Sequence, residues 1–149
     1  MATAALCVAA CSATGPLYEA AAAPTNGQAL VYIYRLPNTP FTARRASFWL
    51  DDVRVAELNQ SGYTRFYAPE GSHTLSQRWP WDVAGGKTTY LGVRWQAGKT
   101  YYYNLESSLD FRGLGETVTW RISAIDPLRA SREITAYHYQ PPLGTDQLH

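Results

Sequence analysis

After position 27, apolar residues occur in short runs, most of which alternate with polar residues. "QALVYIYRL" (28–36) is the exception, because it is apolar on both alternating faces, as is typical of a central strand. In "ETVTWRISAI" (116–125) every second residue is apolar, which is typical of a strand with one buried face. Similar runs predict strands at 46–50, 53–58, 62–68, 72–79, 88–95 and 100–107.

Turn residues separate these runs and indicate hairpins. Asp51-Asp52, Pro69-Glu70-Gly71 and "QAGK" (96–99) each stand between two predicted strands. Asp and Gly tolerate the positive φ that tight turns require. The pattern predicts an all-β protein, an antiparallel β-sandwich of about seven or eight short strands.

The same pattern predicts one helix and a set of core residues. A short C-terminal helix could form over 126–134, with Asp126 as N-cap and Pro127 in the first turn. Alternation within the strands places the following residues on buried faces: Ile33, Phe48, Leu50, Leu91, Val93, Val118, Trp120 and Ile122.

The composition agrees with one folded domain. Of the 149 residues, 46% are hydrophobic and 17% are charged, and this length is about that of a single domain. The five Trp, eleven Tyr and four Phe favour strands. A formal net charge of +1 gives no basic field, so nucleic acid is not an expected partner.

Both cysteines of the chain, Cys7 and Cys11, lie in an apolar stretch at its start. Val8-Ala9-Ala10-Cys11 resembles the lipobox of bacterial lipoproteins, in which a peptidase cuts before the cysteine and the thiol becomes lipidated. Residues 1–10 carry no positive charge, unlike an ordinary signal peptide. The alternatives are a disulfide, a metal pair, or two chance cysteines in an Ala-rich leader, although no second Cys/His cluster completes a metal site.

Lipidation at Cys11 predicts the organisation of the whole chain. Residues 1–10 would be the signal segment, 11–27 the lipidated cysteine and a Pro- and Ala-rich flexible tether, 28–137 the β-sandwich, and 138–149 a tail. Under the sorting rule of enteric lipoproteins, a residue other than Asp after the lipidated cysteine, here Ser12, indicates the outer membrane. The expected location is therefore the bacterial cell envelope, facing the periplasm.

Four further strings carry a family resemblance. "ALVYIYRLP", "FWLDDVRVAEL", "GYTRFYAPEGSHTL" and "LGVRWQAGKTYYYNL" resemble an uncharacterised family of bacterial lipoproteins known only as a domain of unknown function. The resemblance runs from about Ala29 to Ile134, although Asp52 stands where the family usually has Gly. It implies a small β-sandwich of the transthyretin-like or PEGA-like type and implies no enzymatic activity.

The residues themselves indicate no catalytic site, no cofactor and no metal. "GGKTT" (85–89) and "AGKTY" (97–101) lack the earlier glycine of a phosphate-binding loop and are better interpreted as turns. The three histidines, His73, His138 and His149, have no metal-ligand spacing. We expect His73 to pack at a strand start and to bond the backbone of the preceding turn. Asp51 and Asp52 are adjacent, so their carboxylates would diverge rather than flank a glycosidic bond.

One loop indicates a binding function. Trp79-Pro80-Trp81 lies in a Pro- and Gly-bounded loop, where two indoles could stack on a sugar and Asp82 could bond its hydroxyls. The alternative is a hydrophobic lid over an open end of the sandwich, which we expect because burial of an indole is favourable. The sequence thus predicts a membrane-anchored lipoprotein with a non-catalytic structural or protein-interaction role. A carbohydrate- or peptidoglycan-binding module is the alternative.

Overall fold

The computed structural model describes residues 12–37, 39–41, 43–80, 87–113 and 115–148, which form nine strands in two facing sheets. The strands are β1 Gln28–Arg35, β2 Ala46–Leu50, β3 Val53–Leu58, β4 Gly62–Pro69, β5 Gly71–Arg78, β6 Thr89–Trp95, β7 Thr100–Arg112, β8 Gly115–Ile125 and β9 His138–Tyr139. One α-helix, α1, spans Pro127–Glu133, and short 3-10 helices span Ile134–Ala136 and Thr145–Gln147. The predicted all-β sandwich with a short C-terminal helix is confirmed.

The two sheets differ in strand direction. The four-stranded sheet has the order β3-β2-β5-β6 and its pairs are antiparallel, whereas the five-stranded sheet, β8-β7-β1-β4-β9, is mixed. In the mixed sheet, β7 lies parallel to β1 and β9 lies parallel to β4. After β2 and β3 the chain returns to the mixed sheet as β4, antiparallel to β1. After β5 and β6 it returns a second time, again with its direction reversed, so β7 runs parallel to β1. The expectation of antiparallel pairing throughout is corrected in this respect.

The core between the sheets contains the predicted residues. Ile33, Phe48 and Leu50 are fully buried, and Trp120 and Ile122 are buried on β8. The remaining three, Leu91, Val93 and Val118, are partly buried and pack against the same cluster. Ala124 is exposed, although it shares the inward alternation of Trp120.

The outer face of the five-stranded sheet has a second, tyrosine-rich cluster. Because β1 is apolar on both faces, Val31 and Ile33 enter the core while Tyr32 and Tyr34 face outward. Tyr102 stacks on Tyr32 with ring centroids 4.9 Å apart. Tyr103 points inward, where its hydroxyl accepts a hydrogen bond from Trp95 Nε1.

Helix α1 covers part of this outer cluster and begins where the sequence predicts. Asp126 Oδ1 accepts hydrogen bonds from the amides of Leu128 and Arg129, at 2.9 and 3.2 Å. Pro127 occupies the first turn, where no amide is needed. Ala130 and, just after the helix, Ile134 are buried against the sheet.

The segment predicted as a flexible tether, 11–27, packs against the domain over its described part. The amide of Ala13 donates to Gln60 O at 3.0 Å, and Leu17 forms a β-bridge with His138. The ring of Tyr18 lies between Tyr32 and Tyr63, with centroids 5.8 and 5.6 Å away. The tether prediction is corrected, because Tyr18 covers an apolar sheet face that would otherwise meet water.

The predicted tail, 138–149, is likewise part of the domain over its described residues. It supplies β9, and further on the amide of Leu143 donates to Val55 O at 2.9 Å. Leu148 packs against the core. None of the helices in the described residues has the length and hydrophobicity of a membrane-spanning segment.

Candidate functional site

One described candidate residue, Trp79, lies at the end of the sandwich where β1 finishes, here called the Arg35 end. Ser12 reaches this end through its bridge to Gln60, and Gln60 Nε2 donates to Thr39 O at 2.8 Å. Trp79, which follows β5, packs at the same end. Cys11, Trp81 and Asp82 lie outside the described residues.

The guanidinium of Arg35 organises the Arg35 end. It is fully buried and donates from Nε to Thr39 Oγ1 at 3.2 Å, from Nη1 to Leu58 O at 3.2 Å, and from Nη2 to Phe41 O at 3.1 Å. Burial lowers the pKa of Arg35 to about 10. Because its donors bind backbone carbonyls of the β1–β2 connection and β3, Arg35 fastens these segments together.

Trp79 belongs to the core rather than to an exposed sugar platform. It is 8% exposed, and its ring centroid lies 4.6 Å from that of Trp120 and 5.7 Å from that of Phe41. Arg35 Cζ lies 5.2 Å from the same ring. The Trp79 ring is therefore packed against core side chains and has no exposed face on which a sugar could stack. Trp81, the other indole of this loop, is outside the described residues, so the lid stays a prediction.

His73 packs at the start of β5, and its expected bond to the turn backbone is confirmed. Nε2 lies 3.0 Å from Pro69 O, and Nδ1 lies 2.9 Å from Asp51 Oδ2. Asp51 also accepts from the amide of Thr74. Burial opposes ionisation of the Asp51 carboxyl, but the hydrogen bonds from His73 and Thr74 outweigh it and lower its pKa.

This histidine therefore joins two turns instead of presenting a free nitrogen to a substrate. Asp51 occupies the positive-φ position of the β2–β3 turn, with φ 51°, and Pro69 ends β4. In the described residues, no group of three His, Cys, Asp or Glu side chains could hold a metal ion.

A second surface was missed by the sequence analysis: the outer face of the four-stranded sheet, here called the open face. Three side chains from neighbouring strands lie in one row across it, because Ser76 of β5 pairs with both Trp49 and Tyr90. Arg78 Cζ lies 4.4 Å from the Trp49 ring centroid. Tyr90 is 65% exposed, whereas Ser76 Oγ and Trp49 Nε1 are buried without a hydrogen-bond partner.

Positive charge borders this aromatic row. Arg94 and Arg54 are exposed on the same face, since Arg94 pairs with Ser72 and Arg54 pairs with Trp49. Glu57 is the acidic residue beside them, and its carboxylate lies 3.0 Å from Arg54 Nη1. The open face thus presents the exposed Tyr90 and the exposed arginines Arg54 and Arg94, with Ser76 buried beside them.

The sequence predicts which side chains point away from the core on the open face, but not that this face is left uncovered. Alternation in "SFWL", "HTLSQR" and "TYLGVR" marks which side chains oppose the core. Alternation does not show which sheet has its outer face covered by other parts of the chain. In the structure, the N-terminal segment and α1 cover the outer face of the five-stranded sheet.

A groove of about 650 Å³ lies between the N-terminal segment and the C-terminal residues, over β4. Two of its polar side chains, Arg65 and Tyr67, bind the protein itself. Arg65 donates to Glu19 O and stacks over the Tyr139 ring, while the hydroxyl of Tyr67 donates to Ala22 O at 2.8 Å. These contacts hold the N-terminal segment in place.

Comparison with models of known protein families finds no match to this chain, and no curated protein matches it. The lipoprotein resemblance therefore stays a prediction from the motifs quoted above. The class that the fold defines is an all-β sandwich with one open sheet face.

Proposed function

We propose that the chain is an envelope lipoprotein, anchored in the bacterial outer membrane through acyl chains on Cys11, and that its β-sandwich binds another envelope protein without catalysing a reaction. Val8-Ala9-Ala10-Cys11 supports the anchor, and the sequence has no cysteine after Cys11 that could compete for acylation. Ser12 supports the outer membrane as the location.

The observation that carries the binding role is the open face. One sheet of the sandwich has its outer side packed beneath Tyr18 and α1, whereas the other presents Tyr90, Thr74 and Arg94 to solvent. Exposed tyrosine and arginine are the residue types enriched at protein interfaces. Because Arg54, Arg78 and Arg94 outnumber Glu57 there, the partner surface is acidic.

Fatty-acid labelling tests the anchor. Cells that express the full chain are given a fatty-acid analogue, and the Cys11→Ser and Cys7→Ser variants are compared with the parent. Cys11→Ser is expected to abolish the label, and Cys7→Ser is the matched control that retains it. Label that persists without Cys11, or that depends on Cys7, would contradict the anchor.

Site-specific crosslinking in cells tests the binding face. A photocrosslinking residue at Tyr90 is expected to capture a protein partner, whereas the same residue at Leu128, which is 64% exposed on α1, is the control. The charge reversal Arg94→Glu is expected to remove the product, and Arg132→Glu on α1 to leave it unchanged. Equal products from both positions would mean that the open face is not selective.

Peptidoglycan is the alternative partner, and alanine variants of the aromatic residues separate it from a protein partner. Retention of the full chain on purified peptidoglycan that is lost in Trp81→Ala or Tyr90→Ala would favour a carbohydrate-binding module. Retention that only Trp79→Ala removes would be uninformative, because that change also disturbs the core.

A further inference from the structure

The β7–β8 hairpin extends past the Arg35 end. β1 and β7 pair as far as Arg35 and Leu105, and β7 then continues to Arg112, paired with β8. At about 3.3 Å per residue, the stretch from Leu105 to Phe111 spans about 20 Å. The hairpin therefore projects from this end as a two-stranded ribbon.

The ribbon carries apolar residues on its inward-facing side beyond the core, although Ser107 lies in the same row of β7 and Glu116 is paired with Phe111. Leu105 is fully buried, Leu109 is 50% exposed and Phe111 is 71% exposed, although all three lie on the same face of β7. Val118 lies opposite Leu109 on β8. Asp110 and Arg121 lie on the other face, which stays polar.

The described chain begins at the same end of the molecule. Ala13 is held by Gln60 O, and Gln60 in turn holds Thr39, the residue bonded to Arg35. Ser12, the residue that follows Cys11 in the sequence, lies at the Arg35 end through its bridge to Gln60.

We infer that the apolar face of the ribbon, with Leu109 and Phe111 near its tip, rests in the interfacial layer of the bilayer that holds the acyl chains of Cys11. This inference rests on the proposed anchor. Because the segment after Ser12 is packed against the sheet, the domain lies directly on the membrane instead of at the end of a tether. A ribbon that projects about 20 Å toward that surface then meets the lipid.

The chemistry of the ribbon fits a membrane surface rather than a membrane span. Phe has a large apolar side chain, and its transfer from water to an apolar environment has a partition coefficient of roughly ten or more. Asp110 on the opposite face would remain in water or among headgroups. Arg45, beside the start of β2 at the same end, has a side chain that is 64% exposed and can contact lipid phosphates.

The test uses the full chain with Cys7→Ser, coupled through Cys11 to a maleimide phospholipid in vesicles of phosphatidylethanolamine and phosphatidylglycerol. Chemical coupling makes the result independent of whether cells acylate Cys11. Phe111→Trp and Tyr90→Trp are compared after subtraction of the parent fluorescence. Lipids with a nitroxide on the acyl chain are expected to quench Trp at position 111 several-fold more than Trp at position 90.

Equal quenching at positions 111 and 90 would overturn the inference, even if labelling in cells confirms the anchor. A second result would also overturn it: dimers of the uncoupled chain, seen by sedimentation without lipid, that Phe111→Ser disperses and Tyr90→Ser does not. In that case a second copy of the chain, not the bilayer, would cover the ribbon.

Discussion

At the residue scale, the stability of the Arg35 end depends on an indole pair. Trp79 and Trp120 are both buried, and their ring centroids are 4.6 Å apart. We expect Trp120→Ala to lower the free energy of unfolding by about 3–5 kcal/mol, as large-to-small changes in packed cores do. Urea denaturation followed by circular dichroism measures this loss.

Tyr90→Ala is the control for this change, since an exposed ring should contribute within about 0.5 kcal/mol. The double change at Trp79 and Trp120 should show a coupling of about 0.5–1.5 kcal/mol, the range for aromatic pairs. A loss below about 1 kcal/mol for Trp120→Ala would mean that Trp120 is not a core residue.

Acid should weaken the protein partly through Asp51. The pKa of its carboxyl is below the unfolded value of 3.8, so the unfolded state binds more protons as the pH falls through this range. The stabilisation is present above the unfolded pKa and is lost as pH falls through the folded pKa. We expect Asp51→Asn, which tolerates the positive φ of the turn, to show a smaller loss of stability on acidification than the parent.

Unfolding in urea at pH values between about 6 and 3, on either side of the ordinary Asp pKa, measures the comparison. Asp52→Asn is the matched control from the same turn. If Asp51→Asn and the parent lose stability in parallel, then His73 and the Thr74 amide do not favour the ionised carboxylate.

At the element scale, α1 depends on its N-cap. Asp126 Oδ1 accepts two amide hydrogen bonds, and loss of such a cap costs about 1 kcal/mol. We therefore expect Asp126→Ala to lower the free energy of unfolding by about that amount, and Asp126→Ser to recover most of it. Equal stability of the two variants would contradict the capping role.

The N-terminal segment depends on Tyr18. The amide of Ala21 donates to the Tyr32 hydroxyl at 2.9 Å, and Tyr18 packs beside that ring. We expect Tyr18→Ala to accelerate hydrogen exchange at Ala13 and Ala21 while the amides of β1 stay protected. Leu17→Ala is the control, because Leu17 is 58% exposed. Unchanged exchange in Tyr18→Ala would show that another contact fixes the segment.

The strands and α1 could be predicted from the sequence, whereas the docked segments could not. Period-two alternation and the Asp126-Pro127 pair are local signals, so β8 and α1 appear where expected. The docking of 12–22 depends on long-range contacts such as Tyr18 with Tyr63. An Ala- and Pro-rich segment has no periodic pattern of apolar residues from which such contacts could be predicted, and its composition alone favours a tether.

At the scale of the whole molecule, sheet pairing and the open face were beyond the sequence. Alternation shows that a strand has a buried face but not which strand lies beside it, so the parallel neighbours β1 and β7 were not foreseen. Trp79 illustrates the same limit at the candidate site. Its loop position is compatible with a platform or a lid, and the burial of its ring against Trp120 and Phe41 depends on contacts that are distant in sequence.

One consequence concerns cooperativity, because β1 belongs to both clusters. Val31 and Ile33 enter the core between the sheets, while Tyr32 and Tyr34 enter the outer cluster. Trp79, Trp95 and Trp120, three of the five tryptophans, lie in the core cluster, so tryptophan fluorescence reports mainly on the core and tyrosine absorbance mainly on the outer cluster. Loss of either cluster would strip one face of the same central strand, so the two should unfold together.

We therefore expect the two signals to give coincident urea transitions. Ile134→Ala, in the outer cluster only, should shift both midpoints downward by the equivalent of about 2–5 kcal/mol, and Trp120→Ala should do so from the other side of the sheet. Leu128→Ala, on the exposed face of α1, is the control that shifts neither. Separate transitions, with Ile134→Ala moving the tyrosine signal alone, would show that the outer layer unfolds independently of the sandwich.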